Sequence, residues 1–149
     1  RAALSLYHAQ AVTMLNNALN TPNGGFSEIC DYFASLSASL EQGDRRGCLA
    51  SQAAIDRAQD DPQVADIVAD IMADLRAAFA SAVAVGLARG ELRELPPDDL
   101  VEFLVGLQRA LATMMRTATP ADEIQRYSQV SLAMLARPDQ ARCHSTTWT

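Results

Sequence analysis

Apolar side chains recur along this chain at intervals of three and four residues, in blocks divided by turn-forming residues. The longest block runs from Asp61 to Leu92. In it Val64, Ile67, Val68, Ile71, Met72, Leu75, Phe79 and Ala82 share one side of a helix. Asp61-Pro62 supplies an N-cap and a first-turn proline that needs no N–H donor. Gly90 supplies the residue type that best tolerates the left-handed conformation beyond a helix end. A helix of roughly 28 residues at about 1.5 Å rise extends about 40 Å, the length of a small domain. It cannot bury its own stripe, so neighbours must pack along its whole length.

Those neighbours are readable on either side. A first helix over 2–20 carries Leu4, Ala11, Leu15 and Leu19 on one side and ends in the turn residues Thr21-Pro22-Asn23-Gly24-Gly25. A second over 26–42 aligns Ile29, Phe33, Leu36 and Leu40 and stops at Gly43. A shorter one over 48–58 follows a polar loop. After Gly90, Pro96-Pro97 force a connector out of helix, and a further helix spans 98–118. Thr119-Pro120-Ala121-Asp122 reads as a cap, a first-turn proline and a capping-box acid opening the last helix, to 136. The whole is all-α, a bundle of about six helices with no strand alternation and no internal repeat.

The last two helices are apolar over an unusual width. The side chains of 98–118 cover an arc of roughly 220°, well beyond an ordinary core-facing stripe. Helix 120–136 is similarly broad through Ile124, Tyr127, Val130, Leu132, Met134 and Leu135. One small domain does not need that much apolar surface, and the excess points to a homodimer in which two copies pack four helices together.

Composition narrows the function. The chain has 149 residues, 49% of them hydrophobic and only 5% aromatic, which suits one domain of closely packed helices. The basic residues are all arginine, yet the net charge is −6, against direct grip on a phosphate backbone. No apolar run reads as a membrane span and no signal segment opens the chain. Three cysteines, Cys30, Cys48 and Cys143, form an odd, widely spaced set that fits reduced thiols better than a disulfide framework.

Reactive constellations are scarce, so the chain reads as no enzyme and as needing no cofactor or metal. Cys143-His144 has no third group to orient it. Phosphate-loop, dinucleotide and Glu-x-x-His patterns are absent. Asp66, Asp70 and Asp74 form an acidic ladder better read as a solvated face near a helix N-terminus than as a metal site. The methionines Met14, Met72, Met114 and Met115 are adaptable lining for an apolar pocket or plain core. His8, Gln52 and Gln108 interrupt apolar faces, where buried polar groups want partners.

Arg45-Arg46-Gly47-Cys48-Leu49-Ala50, then Asp60-Asp61-Pro62-Gln63-Val64, the long alanine-rich helix and Gly86-Leu87-Ala88-Arg89-Gly90-Glu91-Leu92 follow one another in an order that resembles the regulatory domain of TetR-family transcriptional regulators. Arg1-Ala2-Ala3-Leu4 is similar to the segment just after that family's helix-turn-helix head. The resemblance covers the chain to about residue 136, leaving 137–149 as a loosely ordered tail. The N-terminal DNA-binding head expected of the family has no counterpart in 1–149, and a start at Arg1 without an initiator Met fits a fragment or processed product.

The resemblance implies an effector-sensing and dimerisation domain of a bacterial, cytoplasmic repressor. A small hydrophobic or amphipathic effector would alter the spacing of two DNA-binding heads and release operator DNA. Facing direction nominates a ligand pocket lined from the first three helical segments by Met14, Ile29, Phe33, Gln52 and Ile55. From the long helix and the next it adds Met72, Leu75, Phe79, Phe103 and Leu107. Replacing Phe79 with Trp is then expected to disturb ligand binding more than folding. The dimer interface falls on the last two helices: Val101, Leu104, Val105, Gln108, Ala112 and Met115, then Ile124, Tyr127, Ser128, Ser131 and Leu135. The rival reading is a stand-alone helical module whose wide apolar faces dock another protein.

Overall fold

A computed structural model describes residues 2–19, 24–41, 43, 53 and 56–139, without the side chains of 11, 14 and 40. Among the described residues there are five helices: α1 (Ala2–Leu19), α2 (Phe26–Glu41), α3 (Pro62–Ala88), α4 (Pro97–Arg116) and α5 (Ala121–Leu135). The all-α expectation holds, and each of these helices lies within about two residues of its sequence-derived bounds, ordinary scatter for helix ends. Of the short helix expected over 48–58 only residues 53 and 56–58 are described, and the tail beyond 139 lies outside the described residues.

α3 is the axis. It packs against α1, α2 and α4, while α5 lies across α2 and α4. Its inward stripe of Val64, Val68, Ile71, Met72, Leu75, Phe79, Ala82 and Val83 is buried throughout. Contrary to the sequence expectation, α3 is long and apolar enough to cross a membrane, with a mean hydropathy of 1.6 in its most apolar window. Of that window 44% is buried inside the chain, as befits the central helix of a core.

The ends of α3 are built as the sequence specifies. Asp61 Oδ1 accepts the N–H groups of Gln63 and Val64 at 3.1 and 3.4 Å, with Pro62 opening the first turn. At the far end Gly90 adopts φ +69°, and the N–H of Glu91 reaches the carbonyl of Gly86 at 2.9 Å while that of Gly90 reaches Leu87 at 3.1 Å. This is a Schellman closure. Its apolar partner is Leu92, which folds back onto Gly86 so tightly that a Cβ there would stand 2.9 Å from Leu92 Cδ1.

Two details depart from expectation. Pro97 is the first residue of α4 rather than part of a non-helical connector, because a first-turn position needs no N–H. Pro120, not Thr119, is the N-cap of α5, so no side chain caps that helix and the threonine hydroxyl meets Thr117 Oγ1 instead, at 3.2 Å. The connector after α3 pairs with the chain leaving α5. Leu92 and Ala136 form an antiparallel bridge, Arg93 N–H donates to Leu135 O at 2.9 Å, and Arg137 N–H donates to Glu91 O at 3.1 Å. Ala136 and Arg137, the latter the first residue of the expected tail, are thus tied to that connector. Cys30, expected as a free thiol, is disulfide-bonded; spacing along a chain does not fix which sulfurs folding brings together.

Candidate sensing core and association face

Two features on this frame bear on function, an aromatic cluster inside and an apolar face outside. The cluster joins α2 to α3. The rings of Phe33 and Phe79 stack with centroids 5.8 Å apart and planes 4° from parallel. Tyr32 meets both edge-on, at 5.2 and 5.6 Å. Phe33, Phe79 and Ile29 are fully buried, and Cys30 lies beside Ile29 at 7% exposure. Tyr32 is half-buried, giving this core a rim with a phenol on it.

Of the expected pocket residues, the fold gathers Ile29, Phe33, Met72, Leu75, Phe79 and Leu107 into one buried core. Phe103 is placed differently, 41% exposed on the outer side of α4. It lies outside the part of the α4 apolar arc that the chain buries. Gln52, Ile55 and the side chain of Met14 lie outside the described residues. Sequence reasoning passed over Tyr32, whose only signal was its place next to Phe33.

The outer face is formed by α4 and α5. A tight turn joins these helices, so they run antiparallel and the start of α4 stands level with the end of α5. On α4 Phe103 is 41% exposed, and on α5 Tyr127, Val130 and Met134 are exposed at 45, 44 and 63%. Tyr127, Val130 and Met134 form an i, i+3, i+7 stripe. Most of the residues expected at the dimer interface are buried within the single chain. Val101, Leu104, Val105, Ala112 and Met115 on α4 are buried within the chain, as are Ile124, Ser128, Ser131 and Leu135 on α5. Tyr127 is exposed, and Gln108 is half-buried with a side-chain oxygen that is sealed from solvent and lacks a hydrogen-bond partner. Periodicity identified the wide arcs; the packing decides that α3 and α5 use one part of the α4 arc and leave the Phe103 side open.

Polar contacts fix the helices around the core. His8 Nε2 and Asp74 Oδ2 lie 2.6 Å apart, tying α1 to α3, so Asp74 is a partnered residue while Asp66 and Asp70 face solvent. Arg76 grips the Glu102 carboxylate with both Nε and Nη2, joining α3 to α4. That hydrogen bond, helped by the charges of Arg76 and Arg109, holds the Glu102 carboxyl below the usual carboxylate range. At the opposite end of α3, Arg89 Nη1 donates to Gly24 O at 2.8 Å, and Glu91 Oε2 accepts the N–H of Phe26, the first residue of α2, at 2.9 Å.

A family model described as the tetracyclin repressor-like, C-terminal domain matches residues 25–130, from the loop before α2 into α5. The chain belongs to that family. No curated protein and no solved structure matches it significantly. Membership makes the chain a TetR-like regulatory domain in transcription regulation, of a kind that generally dimerises and binds small-molecule effectors. Such domains are in general not enzymes. The Arg89-Gly90-Glu91-Leu92 run lies inside the matched region, and its side chains are the ones that close α3 and hold the start of α2.

Proposed function

We propose that the chain is the effector-sensing and dimerisation domain of a cytoplasmic TetR-like repressor, whose DNA-binding head is a separate helix-turn-helix unit. A small hydrophobic or amphipathic effector meets the α2–α3 core around Tyr32, Phe33 and Phe79. Its binding lowers operator affinity because effector and DNA favour different arrangements of the two subunits. A rigid spine such as α3 suits this role, since it touches three of the other four described helices.

The observation that carries the proposal is the apolar stripe left uncovered on α4 and α5. Tyr127, Val130 and Met134 make an apolar stripe on α5 that a single chain leaves in water, and Phe103 on α4 is exposed as well. Two copies related by a twofold axis would cover it by forming a four-helix interface. On this reading the interface lies on the outward edges of the two helices, with Tyr127 shared between the stripe and the expected set.

Sedimentation equilibrium tests it. A dimer is expected at micromolar concentration, and Val130→Asp is expected to give a helical monomer, because an exposed residue can accept a charge without disturbing the core. A monomeric wild-type chain overturns the dimer reading and favours a module that docks another protein.

A further inference from the structure

Gly106 stands in the middle of α4, exposed and without the positive φ that calls for glycine elsewhere in the chain. No described atom lies within 4 Å of the place its Cβ would take. A glycine inside a helix weakens it relative to alanine, and neither backbone conformation nor a described neighbour requires one here. The use left for it is to let a body from outside the chain come close to the α4 backbone. The face around it also has a direction. At about 100° per residue, Asp99, Glu102, Phe103, Arg109, Ala110 and Thr113 all fall within about 60° of Gly106. Asp99 and Glu102 precede it, behind Asp98, while Arg109 follows it, with Arg116 beyond; all five charged residues are exposed.

We infer that α4 docks against α4 of a second copy of the chain, antiparallel, with the two backbones closest at Gly106 and the acidic half of each helix against the basic half of the other. This rests on the dimer proposed above and adds its contact and register. Charge decides the direction. Laid parallel, the two faces set Asp99 against Asp99 and Arg109 against Arg109. Laid antiparallel about Gly106, they bring Asp99 opposite Thr113 of the second copy, one turn from both Arg109 and Arg116 of that copy. Arg109 then stands opposite Phe103 of the second copy, 41% exposed in the single chain, whose ring face accepts a guanidinium. At a crossing angle of about 20° the two helices stay within side-chain reach over these turns. The same pattern selects the partner, because a helix without an acid before its crossing point and a base after it forfeits these contacts and meets like charges.

Sedimentation equilibrium of the whole chain at low salt provides the test. Gly106→Leu is expected to weaken association at least tenfold while circular dichroism keeps its helix content, since the described chain has room at that position. Asp99→Arg and Arg109→Asp are each expected to weaken association too, because each then meets its own copy through like charges on both sides of the axis. Mixed one to one, these two variants are expected to associate again. Native mass spectrometry reads the mixed pair, in which both contacts once more join opposite charges. Should Gly106→Leu lose helix, the surface charge variants decide alone. A wild-type dimer that tolerates Gly106→Leu with its helices intact, or charge variants that form no mixed pair, overturns this docking geometry and leaves the dimer to the α5 stripe. A monomeric wild-type chain overturns the dimer itself.

Discussion

The carboxylate of Glu91 accepts the backbone N–H of Phe26 at 2.9 Å, across 65 positions of sequence. An N–H in the first turn of a helix has no intrahelical acceptor, and the positive end of the helix dipole favours an anion there. A residue of the turn that closes α3 therefore caps α2, and Arg89, two residues earlier, holds the Gly24 carbonyl just before that cap. Glu91→Ala is expected to cost about 1–2 kcal/mol, the range for losing a cap or a charge-assisted hydrogen bond. Glu91→Gln is expected to lose less, since its amide oxygen still accepts. Urea unfolding followed by circular dichroism checks both; an unshifted midpoint for the alanine variant would refute the capping role.

Gly86 exists for Leu92. A Cβ at 86 meets Leu92 Cδ1 at 2.9 Å and Cγ at 3.1 Å, with the Phe26 nitrogen behind at 3.4 Å. Gly86→Ala is expected to destabilise by about 1–3 kcal/mol through overpacking, despite alanine's better helix propensity. Leu92→Ala loses packing of its own, yet combining the two is expected to cost less than their sum, because the clash is gone. Additive costs in a double-mutant cycle would show that the two side chains do not collide.

Most of the architecture was legible because helix period and punctuation are local signals. Asp61-Pro62 and Gly90 bracket α3 by capping chemistry that acts within a few residues. What local signals could not decide is which part of a broad apolar arc a neighbour covers. Phe103 and Val105 both look apolar in sequence, yet one faces water and the other is buried, because α3 and α5 approach α4 from particular directions. The same limit hid the Glu91 cap, whose partner is fixed only by the fold. Cys30 shows it again, since pairing is a matter of proximity in space.

The Arg76–Glu102 pair makes a pH-dependent contribution with a definite sign. Glu102 ionises more readily in the folded chain than in the unfolded one, mainly because Arg76 hydrogen-bonds its charged form. A carboxyl depressed by folding stabilises at pH above its unfolded value, near 4.3, and that contribution fades as pH falls through the folded value. Both side chains are substantially exposed, so the effect is small and salt-sensitive. Glu102→Gln is expected to unfold slightly earlier than wild type at neutral pH and low salt, with the two converging in acid. A difference that grows as pH drops would reverse the assignment.

Ala118 holds φ +57° just past α4, a left-handed conformation that disfavours a Cβ. It occupies the position where Gly90 follows α3, without glycine's freedom. Ala118→Gly is expected to stabilise by about 0.5–1 kcal/mol, the relief of strain exceeding the added unfolded-state entropy. Thermal unfolding reads it as a raised midpoint, and a lowered one would mean that the turn does not need this conformation.

Phe79→Trp distinguishes a filled core from a cavity beside it. From sequence alone Phe79 reads as a pocket wall, where a larger ring would block a ligand and spare the fold. Its ring is instead fully buried, stacked on Phe33 and met edge-on by Tyr32, so two of its approaches are already occupied by aromatic rings. An indole needs volume that close packing rarely leaves, and overpacking of this kind costs about 1–3 kcal/mol. The expected result is a lower denaturation midpoint for Phe79→Trp, while Tyr32→Phe, at the half-buried rim, leaves the midpoint close to wild type. If Phe79→Trp unfolds like wild type, there is free space against that ring, and this space is where an apolar effector would be sought first.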